Sequence, residues 1–374
     1  MEKRLSLFQI DTGTEWRSGQ RQSLFLCREL QKRGFPVVLV VQPGSPLHRK
    51  AFANNLDVRP VRMRSETDPL AVARLSLLLN RKKCRLVHFH DVQAVWLGSA
   101  AASLAHVPLR VLTRREDDPL REIDLSRRKY TKDIDRMIAL SEDIKKMLVD
   151  GSINPRLIRV IPDGIDFEPY GTPGSSEYLR NELGFGREDH LVGVVACLKN
   201  HKQHMSLIKT ASLLKDLAPR IRMIIIGDGS LEMDLIRQVS AEGVENLVFF
   251  LGFKENIHKI LSSLDQFVIF SPIEGFRNIL LDAMASRLPI TAIREGRISD
   301  VIIHEKNGLL APEKYPEKMA DAIFRLREDR ILAARLGEEG YRTIHNEYSA
   351  EARAGEVISL YERLARTKAV KLHV

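Results

Sequence analysis

Two α/β units, each a doubly wound parallel sheet, are predicted by three features of this 374-residue chain. Short runs rich in Val, Ile and Leu alternate with longer segments whose apolar residues recur at helical spacing. The alternation begins near the N-terminus and starts afresh at Leu191. Between the two series lies 169–177, PYGTPGSSE, dense in turn-forming residues. Strand–helix–strand repetition with short connections implies parallel pairing.

In the first series a strand over 5–10 leads to a helix over 18–34, with Gly34 near its end, and a strand over 37–42. A helix over 70–80 precedes the basic cluster Arg81, Lys82, Lys83 and Arg85. A strand over 86–90 ends in His90 and Asp91, and an Ala-rich helix over 96–105 follows. Strands are expected over 109–113 and 136–140, with Ser141 suited to cap a helix, and over 159–161. In the second series strands are expected over 191–196, 223–226, 247–251 and 266–271. After Asn307-Gly308-Leu309-Leu310 the chain reads as mostly helical, ending in an amphipathic helix over 350–364. The expected division is a first domain over 1–168, a linker over 169–190, a second domain over 191–349 and a final helical segment over 350–374. Two such halves joined by a hinge make a cleft, a preferred place for small ligands.

Composition narrows the function classes. Three cysteines, Cys27, Cys84 and Cys197, show no paired spacing, which argues against a disulfide framework and for a reducing compartment. The opening MEKRLSLFQID turns polar after one short strand, unlike a signal peptide. No apolar run approaches the ~20 residues of a spanning helix. The net charge of +9 is uneven: residues 1–170 hold 30 Lys or Arg against 21 Asp or Glu, and the remainder holds 28 of each. A basic half attracts an anionic glycan, an acidic membrane surface or nucleic acid, or is simply basic. Nucleic acid is disfavoured because aromatic residues are few and do not interleave with the basic clusters.

The most informative segment is 271–289, SPIEGFRNILLDAMASRLP. A strand ends at a turn carrying Glu274 and Gly275, and an apolar helix follows with Ile279, Leu280, Ala283 and Met284 at helical spacing and Asp282 within it. At the carboxyl end of a parallel strand, free helix N–H groups face a phosphate while a carboxylate accepts from sugar hydroxyls. One loop can thus grip a sugar joined to a diphosphate.

This segment resembles the signature of the retaining nucleotide-sugar glycosyltransferases of family 4 (glycosyl transferases group 1): Glu, Gly, Phe, six residues, Glu, Ala. Here Asp282 stands for the second acid, and Arg277 and Arg287 stand where Gly is more usual. Further motifs resemble the family in order: the Gly19 loop, the His90 strand end, Asp163-Gly164-Ile165-Asp166, the Lys202 loop, Gly227-Asp228-Gly229, the Glu274 segment and Asn307-Gly308. The resemblance implies a GT-B fold, two Rossmann-like doubly wound domains facing across a cleft, with the last helix returning to the N-terminal domain. It implies a sugar moved from a UDP-, GDP- or ADP-sugar donor to an acceptor hydroxyl with retention, without a metal or other cofactor.

The resemblance also implies roles. Glu274, Lys202 and His90 are the expected catalytic residues. Gly19, Lys202, Gly227, Gly229, Gly275, Phe276, Arg277, Asn278 and Asp282 are expected to hold the donor, Asp282 at the ribose. In 191–204, LVGVVACLKNHKQH, Lys202 fits the family's Lys, while Cys197 stands where an Arg is usual. Arg114 and Arg115 end a strand where many members carry a His; they bind an anionic acceptor, help neutralise the diphosphate, or pair with the adjacent acids. His88 and His90 share a strand face but lack an evident third metal ligand. Asp133-Ile134-Asp135 imitates a metal motif of another fold, in the wrong place for it. The expected acceptor is an anionic or lipid-linked glycan of cell-envelope polysaccharide or lipopolysaccharide synthesis, met in the cytoplasm or at the inner membrane face. Two other readings remain at this point: a nucleotide-sugar-binding protein without transfer activity, and a GT-B epimerase.

Overall fold

The computed structural model describes residues 6–115, 133–170, 177–195, 198, 201–254, 256–270, 276–295, 298–312 and 314–372. The chain divides into two compact units, Met1–Gly164 with Ala350–Val374, and Ile165–Ser349.

Among the described residues the first unit holds seven parallel strands: β1 (Ser6–Ile10), β2 (Val37–Val41), β3 (Asp57–Pro60), β4 (Cys84–Phe89), β5 (Leu109–Arg114), β6 (Arg136–Ala139) and β7 (Ile158–Val160). Their order is β3-β2-β1-β4-β5-β6-β7. The helices are α1 (Ser18–Lys32), α2 (Pro46–Ala53), α3 (Pro69–Arg81), α4 (Val92–Leu104), α5 (Glu142–Asp150) and, from the far end of the chain, the helix Ala350–Thr367. Starts follow local chemistry. Asp68 accepts from the N–H groups of Leu70 and Ala71, Asp91 from Ala94 and Ser141 from Ile144. The Asp91 cap starts α4 at Val92, one turn before the expected 96. Two elements escape the sequence pattern. Helix α2 is short, and β3 (DVRP) is a half-exposed edge strand whose polar residues carry no strong apolar alternation.

The second unit has β8 (His190–Val195), β9 (Ile221–Ile226), β10 (Val248–Gly252), β11 (Gln266–Ile269), β12 (Ile290–Ile293) and β13 (Leu309–Ala311) in the order β10-β9-β8-β11-β12-β13, again all parallel. Its helices are α6 (Tyr178–Leu183), α7 (His201–Leu217), α8 (Glu232–Ala241), α9 (Ile257–Leu261), α10 (Phe276–Ala285), α11 (Pro316–Glu328) and α12 (Arg330–Glu347); the helix Ala350–Thr367 is α13.

The boundary falls earlier than composition suggests. Residues 177–190, read as linker, belong to the second unit. Leu179 is fully buried, and the Arg180 guanidinium donates to the carbonyls of Gly186 (2.8 Å) and Asp189 (2.7 Å) and pairs with Asp265 (2.6 Å). Charge-assisted bonds to backbone carbonyls anchor this strip to the sheet although its composition is polar. The turn-rich 171–176 lie outside the described residues. Asp133 and Asp135 have structural partners: Asp135 accepts from the Arg110 N–H (2.8 Å) and pairs with Lys368.

Candidate functional sites at the carboxyl edges of the two sheets

In the second unit β8 pairs with β9 on one side and β11 on the other. The chain winds outward through β9 and β10, then returns to β11 and winds the other way. That reversal is a topological switch point, and the crevice outside the carboxyl ends of β8 and β11 is where such folds take ligands. Two helices begin there, α7 and α10. Lys202 lies in the first turn of α7, and Phe276, Arg277 and Asn278 form the first turn of α10. Their free N–H groups make both starts suited to anions. Glu274, Gly275 and Cys197 lie outside the described residues.

The glycines beside this edge have separate jobs. Gly227 has φ 137°, in the range that favours glycine, and its N–H donates to the Gly252 carbonyl (3.0 Å). At Gly229 a Cβ would stand 2.8 Å from the Leu198 Cα and overlap the Leu198 carbonyl. The Leu198 N–H donates to Asp228 (2.9 Å), and Leu231 donates to the Leu198 carbonyl (2.9 Å). The loops after β8 and β9 are therefore clamped together. The close approach that requires Gly229 is to neighbouring backbone, a partner the sequence could not reveal.

Asp282 is 3% exposed and accepts from the Tyr170 hydroxyl at 2.7 Å. Arg287, where glycine is more usual, ends α10 at φ 55°. Its side chain lies over the Tyr341 ring, 3.7 Å from the centroid, and pairs with Glu338 (3.0 Å). Stacking and ion pairing offset the cost of a left-handed backbone at a residue with a Cβ.

In the first unit the carboxyl edge is organised by two carboxylates. Asp11 accepts from the Gly13 N–H (2.9 Å), Gln20 (3.0 Å) and Ser23 (2.6 Å). Asp91 accepts from the Thr12 N–H and hydroxyl, both at 2.7 Å. Burial and the charge of Asp11 push Asp91 up to about 6, against the opposing hydrogen bonds from Thr12 and Ala94. Gly19, in the first turn of α1, lies under Arg115, whose Cδ would be 3.4 Å from a Cβ there. Arg115 pairs with Asp163 at 2.5 Å, so its partner is 48 residues on. The acids next to it in sequence, 116–118, lie outside the described residues. Arg114 is buried at the end of β5.

His88 and His90 sit side by side, ring centroids 4.4 Å apart. His88 Nδ1 meets the Tyr361 hydroxyl at 2.6 Å and Nε2 meets the Thr113 hydroxyl at 2.7 Å. His90 Nε2 meets Gln9 Oε1 at 2.8 Å. Burial, aided by the nearby Arg115 charge, pushes His90 down to about 3 and lowers His88 well below its ordinary value; His90 lowers His88 further. Both rings are neutral at pH 7. Among the described residues no group of three or more His, Cys, Asp or Glu is arranged to hold a metal ion. Sequence reading missed Gln9 and Tyr361. The only available signal was a glutamine inside the apolar strand LFQI.

These neutral histidines predict acid sensitivity. Below about 6.5 the unfolded chain protonates both, and the folded chain resists until far lower pH, so their contribution to stability is full above 6.5 and falls towards 3. Asp91 acts oppositely: its folded value is raised from 3.8 to about 6, so its contribution is lost as pH rises through 6 and returns on acidification. Between 6 and 4 the balance is one uncompensated proton, about 1.4 kcal/mol per pH unit. Both tryptophans, Trp16 and Trp96, lie in the first unit, so urea melts followed by their fluorescence report on it selectively. The midpoint should fall between pH 6 and 4; a flat profile would mean that one of the two rings is protonated in the fold, and a rise on acidification that both are.

Comparison with known proteins agrees with this architecture. The family profile for Glycosyltransferase Family 4 matches residues 19–169, and that for Glycosyl transferases group 1 matches 175–343. The chain belongs to the family 4 glycosyltransferases. It is similar to the UDP-Gal:alpha-D-GlcNAc-diphosphoundecaprenol alpha-1,3-galactosyltransferase of Escherichia coli, 25% identical over 79% of each chain. It is also similar to the D-inositol 3-phosphate glycosyltransferase of Corynebacterium jeikeium, 30% identical over 55% of this chain and 52% of that one, so this second relative is matched over about half its length. Among solved structures, Anabaena Alr3699/HepE in complex with UDP and glucose superposes with a TM-score of 0.81 at 17% identity, covering 96% of this chain and all of that one. At that identity the superposition speaks for the fold, which is GT-B. Membership makes this family 4 chain a glycosyltransferase with a nucleotide-sugar donor. Among the described residues no helix is long and apolar enough to cross a membrane.

Proposed function

We propose that this glycosyltransferase works with retention and without a metal, binding its donor at the β8–β11 switch point. The observation that carries the reading is the start of two helices at one sheet edge, α7 with Lys202 and α10 with Phe276, Arg277 and Asn278. Lys202 and the helix N–H groups stabilise charge developing on the leaving diphosphate. Glu274 orients the donor sugar through its hydroxyls. The acceptor hydroxyl attacks on the face that the diphosphate leaves, and a leaving-group oxygen takes its proton. Asp282 binds the ribose, sharing its carboxylate with the Tyr170 hydroxyl.

The acceptor is anionic and belongs to cell-envelope glycan synthesis, met in the cytoplasm or at the inner membrane face. Three observations favour this. The positive excess lies in residues 1–170. Arg114 and Arg115 stand at the carboxyl end of the first sheet. The two relatives are named for phosphate-bearing molecules, a diphosphoundecaprenol-linked sugar and inositol 3-phosphate.

A thermal-shift series with UDP, GDP, ADP and their sugars, in EDTA, tests the donor site. A ligand at a hundred times its Kd should stabilise the fold by about 2.7 kcal/mol. One base should stabilise strongly, and Lys202→Ala and Glu274→Ala should lose the effect. Stabilisation that appears only with added divalent metal would refute metal independence. A complete absence of stabilisation would refute the donor site.

A further inference from the structure

At the carboxyl ends of β4–β7 the first unit forms a small, half-open cavity lined by His88, His90, Thr113, Arg115 and Asp163, together with Val357 of α13. His90 is 4% exposed and lines this space, yet among the described residues its Nδ1 has no hydrogen-bond partner. Among the same residues Arg115 Nε is likewise a buried donor without one. Buried polar atoms are rarely left unpaired, because an unmade bond forfeits the full cost of removing the group from water.

The surrounding network says which kind of partner is missing. Gln9 Oε1 faces His90 Nε2, and Gln9 Nε2 donates to the Tyr361 hydroxyl (3.3 Å). Gln9 thereby requires the Nε2–H form of His90, which leaves Nδ1 as a bare lone pair. The rest of the chain is consistent. Tyr361, accepting from Gln9, donates to His88 Nδ1, and His88 Nε2–H donates to Thr113. Turning the Gln9 amide over would reverse every bond and put a proton on His90 Nδ1, beside the Arg115 cation. A lone pair next to a guanidinium is electrostatically favoured and an N–H there is not, so the charge of Arg115 selects the acceptor form.

We propose that this cavity is a hydroxyl subsite: a sugar hydroxyl donates to His90 Nδ1 and accepts from Arg115 Nε, with Gln9 as the residue that holds the ring in its accepting form. The inference rests on the transferase reading only in taking the hydroxyl to be a sugar's. A hydroxyl is what the pair calls for, because it can donate to the ring and accept from the guanidinium with the same oxygen. A carboxylate or a phosphodiester has no proton to give Nδ1 at pH 7. The hydroxyl belongs either to the donor sugar or to the acceptor.

The test is nitrogen NMR on the full chain labelled at histidine, with His90 assigned through its loss in His90→Asn. At pH 7, Nε2 should be protonated and Nδ1 bare; a protonated Nδ1 would overturn the proposal. UDP, UDP-glucose and methyl α-glucoside are then added separately. A Nδ1 shift with UDP-glucose but not UDP assigns the hydroxyl to the donor sugar, and a shift with the glucoside assigns it to the acceptor. A bare Nδ1 that no sugar probe moves overturns the subsite, whatever the thermal-shift series shows for nucleotides, so the two readings fail separately. Gln9→Glu keeps an oxygen that accepts from Nε2–H and should leave Nδ1 bare, whereas Gln9→Leu removes the acceptor that fixes the tautomer and should weaken the sugar-dependent change. His90→Asn keeps an acceptor near Nδ1 and should retain more transfer activity than His90→Phe; equal loss in both would speak against an accepting role.

Discussion

Truncation after Ser349 is expected to unfold the first unit, although that unit then keeps its seven described strands. Helix α13 places Val357, Ile358, Leu360, Tyr361 and Leu364 in the cluster formed with Leu24, Cys27 and Leu30 of α1 and with β1 and β2. Burying such side chains contributes about 1.5–3 kcal/mol each. Five of them amount to roughly 8–15 kcal/mol, comparable with the whole stability of a domain. Tyr361 is fully buried, and its loss also leaves Gln9 and His88 without their partner. The check is a urea melt by Trp16 and Trp96 fluorescence together with thiol labelling of Cys27, a fully buried thiol whose ionisation is strongly suppressed by desolvation. The truncated chain should show no cooperative transition and a freely labelled Cys27. A retained transition with a protected thiol would show that α13 is an accessory, and the core argument would fail.

Gly229→Val is expected to have its main effect on ligand binding. The added side chain must displace the Leu198 carbonyl, and with it the Asp228–Leu198 and Leu198–Leu231 bonds that tie the two loops. Overpacking of this kind costs about 1–3 kcal/mol. Because the displaced segment lies between β8 and α7, the strain moves the start of α7 and Lys202. Nucleotide affinity should fall by about tenfold for each ~1.4 kcal/mol placed on the bound state, measured by calorimetry with the best-stabilising nucleotide. Gly227→Val, a backbone conformation conflict in the same turn, is a useful companion. Affinity unchanged in Gly229→Val would mean that the clamp has no part in the donor site.

Much of the fold was legible because it depends on local signals. The two series of apolar runs, the turn-rich break near 170, and caps such as Ser141 are properties of a few adjacent residues. Elements without such signals were lost: the edge strand β3, the four-residue β12 and the three-residue β13, whose pairing comes from neighbours in the sheet. The strip 177–190 reads as linker by composition, and it is Arg180, bonded to carbonyls and to Asp265, that ties it to the second sheet.

The α/β class, the order of motifs that marks the family, and the residue types at strand ends could all be read from the chain alone. These rest on hydrophobic period and turn chemistry, and both act over a few residues. The partners emerged in the folded chain: Arg115 with Asp163, Tyr170 with Asp282, Gly229 under Leu198, and Gln9 with Tyr361. Each joins residues brought together by parallel strand order and by the return of α13. No local pattern encodes them, because a parallel sheet places side by side segments that the sequence keeps far apart. The bare Nδ1 of His90 follows from that convergence.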